Sequence, residues 1–226
     1  MKTYDLESVD LDLFKQFDYY AISHYNLPIE LMMENAGFHL ASLIAQKAKP
    51  HDLIQIGIGN GNNGGGGLVA ARRLKAWGYY VTLDIPEPIT RDLPLTQLAR
   101  AKLFGIPTNF YPNPDIWVDA YLGFNQRLPI TGSFEKCIIN ANACNAYRIS
   151  LDIPTGYMGY EKSVFFNPDC ILTLAAPKKI LDRFSEDTEI YVADLGIPKE
   201  VYEIYGIVIP PFYESSLLKL RRLKRD

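Results

Sequence analysis

Few of the groups that mark a metal centre or an oxidised fold occur in this chain of 226 residues: it has three cysteines, three histidines and two tryptophans. Cys137, Cys144 and Cys170 are odd in number and lack a C-x-x-C spacing, which argues against a disulfide framework and a structural zinc site. They read as buried, reduced thiols. His24, His39 and His51 are scattered, and none has a second ligand at helical spacing. Excess charge is missing as well. Twenty-three Lys and Arg against 26 Asp and Glu leave a formal charge of -3 and a pI near 5.7. Without a dense basic face there is little counterion release to gain, so nucleic acid is not an expected partner. Nor is a membrane, because the first ten residues carry Asp5, Glu7 and Asp10 in place of the apolar run of a secretory signal or anchor. The expected address is the cytoplasm.

The remaining composition is that of a folded chain. Hydrophobic residues make up 48%, with 15 Tyr and 11 Phe, and a chain of this length buries roughly 70% of its unfolded surface. No repeat or low-complexity tract divides it. It reads as one domain over 1–226, with N-terminal helices over 1–50, an α/β sandwich over 51–210 and a basic tail over 211–226. Leu11, Leu13, Phe14 and Phe17 recur at helical spacing, and Pro28 suits the first turn of a second helix that ends near Lys49-Pro50. Two helices are therefore expected before any strand.

From Asp52 short apolar runs alternate with amphipathic stretches. Leu53–Ile58, Tyr79–Ile85, Ile116–Leu122, Arg148–Ile153, Asp169–Leu174 and Ile190–Ala193 read as strands, and Gly67–Trp77, Leu95–Phe104 and Ser133–Ala143 as helices. Right-handed crossovers between such units give a three-layer αβα sandwich, a Rossmann-like, doubly wound, mostly parallel sheet. Its ligands should sit beyond the carboxyl ends of the strands.

The strongest local signal follows the first strand. Seven of the eleven residues from Gly57 to Gly67 are glycine, and a helix begins immediately afterwards. Bare backbone reaches positive φ and lies close to a ligand, while a helix N-terminus offers unpaired amides to a phosphate. Tight turning alone needs only one or two glycines. Gly59 to Gly64 also matches G-x-G-x-x-G, with Asp84 placed 20 residues later to meet an adenosine ribose. That would make an NAD-dependent oxidoreductase, although no His, Tyr-x-x-x-Lys or cysteine nucleophile stands suitably after the loop. A P-loop is excluded, since no Lys-Ser/Thr follows the glycines.

Asn62-Asn63-Gly64-Gly65-x-Gly67-Leu68-Val69-Ala70-Ala71-Arg72 resembles the glycine loop of the YjeF N-terminal domain, the family of NAD(P)H-hydrate epimerases. Leu31-Met32-Met33-Glu34-Asn35-Ala36-Gly37, after Pro28, is similar to its second-helix motif, and Val118-Asp119-Ala120-Tyr121-Leu122-Gly123 to its Asp-Ala-x-x-Gly strand end. Leu151-Asp152-Ile153-Pro154-Thr155-Gly156 resembles its Asp-x-Pro-Ser-Gly turn, and Ala193-Asp194-Leu195-Gly196-Ile197-Pro198 its Asp-x-Gly-Ile-Pro. The five motifs stand in the family's order.

The resemblance implies the same sandwich fold and an isomerase of cofactor repair, which interconverts the R and S epimers of NADHX and NADPHX, nicotinamide cofactors hydrated at C6. It implies a substrate site of Asn62, Asn63, Gly64, Gly65 and Gly66 together with Gly123, Phe124, Asn125, Gln126, Arg127, Leu128 and Pro129, with Asp152 at the reacting end. It also implies a potassium ion among Asn63, Asp119 and Thr155. The chemistry is compatible: amide, carboxylate and hydroxyl oxygens suit a hard monovalent cation. Inverting a carbinolamine carbon moves a proton whether the hydroxyl leaves and returns or the ring opens and closes. Asp152 is the expected general acid/base, with Arg127 on the phosphates. A carboxyl of reference pKa about 3.9 must be raised by burial to donate near pH 7. The alternative is that Asp152 only caps the Pro154-Thr155-Gly156 turn.

The chain departs from the family pattern in three places. Gly66 stands where the family has Asp, removing a carboxylate and an expected helix N-cap; Phe124-Asn125 replaces Thr-Gly; Thr155 replaces Ser. Gly66 and the bulky Phe124 lend weight to a second reading, a catalytically impaired YjeF-like domain that serves as a nucleotide-binding or dimerising scaffold. Tyr19-Tyr20 and Tyr79-Tyr80 suit a core or an interface, and a homodimer through the N-terminal helices is expected. The basic tail Leu217–Arg225 reads as a terminal helix packing four leucines on the domain rather than as a membrane anchor.

Overall fold

The computed structural model describes residues 2–159 and 164–221. A short strand β1 (Thr3–Tyr4) precedes helices α1 (Leu11–Tyr25) and α2 (Ile29–Lys47). Then follow β2 (Leu53–Ile58), α3 (Asn62–Ala76), β3 (Tyr80–Asp84), α4 (Asp92–Leu103), β4 (Ile116–Ala120), α5 (Gly132–Ala143), β5 (Tyr147–Leu151) and β6 (Cys170–Leu174). A 3-10 turn, Lys179–Arg183, leads to β7 (Glu189–Ala193), α6 (Lys199–Ile204) and β8 (Leu217–Leu220). One eight-stranded sheet has the order β1-β8-β7-β6-β5-β4-β2-β3, and only the β7–β8 pairing is antiparallel. The strand order reverses between β2 and β4, where a doubly wound sheet opens its ligand crevice.

Two-residue periodicity sorts the side chains between layers. Ile116, Val118 and Ala120 of β4 join the core under α2, α3 and α4, whereas Trp117 faces the cluster formed with Ile138 and Ala141 of α5. The same alternation puts Cys170 and Leu172 of β6 on the first face and Ile171 on the second, against Tyr157, Leu181 and Phe184. A third cluster brings Phe14, Phe17 and Ala21 of α1 onto Val201 and Tyr202 of α6. Asp119 and Tyr121 continue the inward face of β4 beyond its hydrophobic part, so the strand's own period aims a carboxylate into the interior.

Several expectations are corrected. A strand, β1, precedes the helices, pairing in parallel with β8, and α6 follows the last expected strand. The basic tail is a strand rather than a helix as far as Arg221: Leu217 and Leu218 are buried against β7, and Leu220 packs on the second face. Among the described residues of the tail, Lys219 pairs with Glu189 and Arg221 with Asp5, the latter at 2.8 Å. Pairing with a buried neighbouring strand outweighs the helical spacing of leucines in so short a segment. Leu223 lies outside the described residues. Helix α3 begins at Asn62, five residues earlier than expected, so Gly64 to Gly67 are helical and Gly66 is no N-cap; Gly61 holds that position.

Candidate active site

Close approach, rather than positive φ, accounts for the glycines of residues 57–67, none of which has a left-handed backbone. A Cβ on Gly59 would lie 1.7 Å from the Tyr121 carbonyl oxygen, and one on Gly64 would lie 1.9 Å from the carbonyl oxygen of Gly59. Strand β2, the N-terminus of α3 and the end of β4 therefore meet main chain to main chain. Only glycine permits that.

Asn63 joins the strand tips to this helix. Its amide nitrogen donates to the carbonyls of Leu122 at 2.8 Å and Leu151 at 3.1 Å, just past β4 and at the end of β5. Between those tips lies Asp119, wholly buried. One of its oxygens accepts from the Thr155 hydroxyl at 2.6 Å and the Tyr121 amide at 3.2 Å; the other accepts from the Thr155 amide at 2.8 Å and the Ser150 hydroxyl at 3.0 Å. Burial pushes its pKa up to about 6, and these hydrogen bonds oppose the rise. No Lys or Arg side chain lies beside it among the described residues to balance its charge. A buried carboxylate with a hydroxyl, an amide and two main-chain carbonyls around it, all oxygen donors, fits a monovalent cation. Among the described residues no group of three or more His, Cys, Asp or Glu could hold a metal otherwise.

Asp152 follows β5 with φ +69°, a left-handed conformation that Asp tolerates better than most residues. Its side chain does not cap the following turn. Oδ1 instead pairs with the Lys178 ammonium at 2.8 Å, both groups being buried. Lys178 Nζ also donates to the Thr173 hydroxyl at 3.0 Å and the Leu174 carbonyl at 2.9 Å, and it sits 3.9 Å from the centre of the Phe14 ring. Burial lowers the pKa of this lysine, and Asp152 opposes that shift.

These elements enclose a cavity of about 510 Å³. Of the residues implied by the motifs, Asn62, Asn63 and Gly66 line it from α3, Gly123, Phe124, Asn125 and Gln126 from the loop after β4, and Asp152 from the third side. Gly64 and Gly65 are instead helix-packing positions, Gly65 against Met33, while Arg127, Leu128 and Pro129 stand outside the lining. Asp119 and Thr155 are outside the lining but accept from the amides of Tyr121 and Leu122, which belong to it. The Phe124 ring does not plug the space: it stands edge-on to Phe14 with centroids 5.7 Å apart, as part of the wall. Gly66 faces Leu151 and Ala36.

Gln126 fastens the loop. Its side chain donates to the carbonyls of Pro154 and Tyr157, each at 3.2 Å, and accepts from the Gly156 amide at 2.6 Å. Asn60 does the same on the far rim, where its carbonyl accepts from the amides of Thr90 and Arg91 and holds the segment bearing Glu87 and Arg91. Arg91, rather than Arg127, is the cationic side chain of the lining. Asp84 is withdrawn from any ribose, because it is buried and accepts from the Tyr121 hydroxyl at 2.5 Å. That removes the dinucleotide fingerprint's acid and, with it, the oxidoreductase reading.

The motifs also passed over Asp18 and Lys178, which the fold brings to the same wall. Part of the signal was present, an acid four residues after Phe14 on an amphipathic helix; Lys178, in the Pro177-Lys178-Lys179 segment after β6, carries no local sign of its burial.

Comparison with known proteins settles the kinship. The family model described as YjeF-related protein N-terminus matches residues 29–180. The chain belongs to that family. A protein of Rhodopirellula baltica named NAD(P)H-hydrate epimerase is 31% identical, over 85% of this chain and 86% of its own length. Proteins of the same name from Anopheles darlingi and Dehalogenimonas lykanthroporepellens are each 30% identical, covering 93% and 94% of this chain and 93% and 92% of their own. The crystal structure of the yeast protein ynu0 superposes with a TM-score of 0.84 at 24% identity, covering 95% of this chain and all of that one, and so shares the fold.

Proposed function

We propose that this chain is an NAD(P)H-hydrate epimerase, interconverting the R and S forms of NADHX and NADPHX. The observation that carries the reading is the cavity at the strand-order reversal, which joins a helix N-terminus to two carboxylates across a space of about 510 Å³. That is within the usual range for a small-molecule site. The first amides of α3, at Asn62 and Asn63, are free for the substrate diphosphate, with Arg91 as the nearby cation. Gly123, Phe124, Asn125 and Gln126 would cover the nucleotide from the other side, while Gly64, Gly65, Arg127, Leu128 and Pro129 support that frame from behind. Asp152 would contact the reacting end.

Potassium belongs to the same proposal, held by Asn63, Asp119 and Thr155. Bound there, it would neutralise the buried Asp119 and fix the tips of β4 and β5. The protein's own groups do the rest: they orient the hydrated ring, exclude bulk water and move a proton at the C6 oxygen. Nothing favours the scaffold reading, since neither Phe124 nor Gly66 closes the cavity.

We place the protein in the cytoplasm and expect two copies to pair through the N-terminal helices, where Tyr19 and Leu31 stand exposed. No helix among the described residues is long and apolar enough to cross a membrane. Chromatographic separation of R- and S-NADPHX tests the activity directly: the purified chain should accelerate their exchange over the uncatalysed rate. Equal rates with and without protein reject it.

A further inference from the structure

Two carboxyl groups border the cavity near Lys178, and their situations differ. Asp152 has one oxygen committed to the buried ammonium at 2.8 Å. Asp18, on α1 one turn after Phe14, also lines the cavity but makes no hydrogen bond or ion pair with any described residue. The Phe14 ring lies over Lys178 Nζ at 3.9 Å, so this helix presents both an aromatic shield for the lysine and a free acid beside it. The charged groups that act on Asp18 are Lys178, which favours its ionised form, and Asp152, which opposes it; burial outweighs both and pushes its pKa up to about 6. An acid so placed exchanges a proton near neutral pH, which the reaction requires.

We propose that Asp18 is the catalytic residue that gives and takes the proton at the C6 oxygen, and that the Asp152–Lys178 pair positions the reacting ring beside it. This rests on the epimerase reading. In the forward step the Asp18 carboxylic acid protonates the C6 hydroxyl. The C6–O bond breaks, water leaves, and the lone pair of the ring nitrogen forms a C=N bond. Addition of water to the opposite face of C6 returns the nitrogen lone pair and delivers one proton to the Asp18 carboxylate. The balance is zero: no oxidant, reductant or second substrate is consumed, and the acid is regenerated.

The test measures exchange of R- and S-NADPHX by the full chain between pH 5 and 8.5, after subtracting the uncatalysed rate. Only protonated Asp18 can act as the acid, so kcat/KM should fall as the pH rises through about 6. Asp18→Asn should lower kcat by about 10²- to 10⁴-fold with little change in KM and erase that limb; Asp18→Glu should restore part of the rate and the limb together. Asp152→Asn should raise KM and keep the limb. Asp18→Asn turning over at the wild-type rate with an unchanged pH profile overturns the assignment and leaves the epimerase reading standing. A wild-type chain that exchanges neither epimer rejects both. Should Asp18→Asn fail to fold, a wild-type profile without a limb in this range overturns the assignment by itself.

Discussion

Replacing Lys178 with methionine isolates what the buried pair contributes. Methionine keeps most of the apolar stem, so the perturbation is the loss of the ammonium. With it go the ion pair to Asp152 at 2.8 Å, the donation to Thr173 at 3.0 Å, the donation to the Leu174 carbonyl at 2.9 Å, and the approach to the Phe14 ring at 3.9 Å. Asp152 is then left as an uncompensated charge where its side chain is only 3% exposed. Removing one partner of such a pair costs about 3–5 kcal/mol. For a chain of this size each kcal/mol moves the Tm by about 2–4 °C, so the variant should melt roughly 6–20 °C lower at pH 7.5.

The double variant Lys178→Met, Asp152→Asn separates charge from packing. Asparagine adopts the left-handed conformation of this position as readily as aspartate and carries no charge. If the single variant's penalty is a stranded carboxylate, the second change should return most of it, leaving a loss of about 1–2 kcal/mol from the unmet polar groups. Urea unfolding of the four members of the cycle gives the coupling energy directly. A single variant as stable as the wild type would refute the reasoning, and so would a double variant less stable than the single.

Other expectations follow from the same packing. Gly64→Ala puts a Cβ 1.9 Å from the Gly59 carbonyl oxygen, main chain against main chain, and should cost about 3 kcal/mol or prevent folding. Gly61→Ser in the same loop meets nothing within 4 Å and supplies an N-cap, so its Tm should be unchanged or slightly raised; the reverse order of the two melting temperatures would contradict the close-approach account. Gln126→Ala removes three bonds between the loop and the Asp152 turn, so KM should rise more than kcat falls, with a stability loss of about 1–3 kcal/mol. Because the pKa of Asp18 is raised in the folded state from 3.8 to about 6, the native chain keeps a proton there that the unfolded chain has lost, and stability declines as pH rises through that window. Asp18→Asn should therefore stabilise the protein by about 1–3 kcal/mol at pH 7.5 and hardly at pH 4, as read by urea unfolding at both values. Potassium should raise the Tm relative to tetramethylammonium at equal ionic strength, and Thr155→Val should abolish the difference; equal wild-type melting curves in the two salts would discard the ion.

The strands from β2 to β7 were legible because each is a short apolar run bounded by Gly, Pro or Asn, and the sheet's ligand end followed from the βαβ alternation. The edges were not. β1 is two residues long and β8 four; β8 pairs with the edge that β7 offers and β1 with the edge of β8, long-range facts that no local spacing encodes. The glycine run was read as positive-φ backbone held against a ligand, whereas close main-chain approach accounts for it, and its α3 start was missed because four glycines in a row oppose helix formation unless packing enforces it. At the site Asn62, Asn63, Gly66, Gly123, Phe124, Asn125, Gln126 and Asp152 border one cavity, whereas Gly64, Gly65, Arg127, Leu128 and Pro129 stand outside its lining. Asp84 took another role and Arg127 falls outside the lining, for reasons only the fold reveals: Tyr121 reaches back to occupy the first, and Arg91 stands on the cavity wall in place of the second.

Asp119, Asp152 and Asp18 are graded by how completely the protein satisfies them, and the grading separates their work. Asp119 has four hydrogen-bond donors and lies outside the cavity lining, so its oxygens hold strand tips together and, with Thr155 and Asn63, suit a fixed cation. Asp152 has an ammonium partner and a left-handed backbone that no regular strand would adopt; it is held in one orientation, as a positioning group must be. Asp18 lines the cavity and makes no hydrogen bond or ion pair with any described residue, although Lys178 and Asp152 act on it through space. A half-buried acid with no hydrogen-bond donor among the described residues opposes folding at neutral pH, and packing alone gains nothing by keeping it there. Its retention on the otherwise apolar face of Phe14, Phe17 and Ala21 therefore makes sense if the missing partner is the substrate.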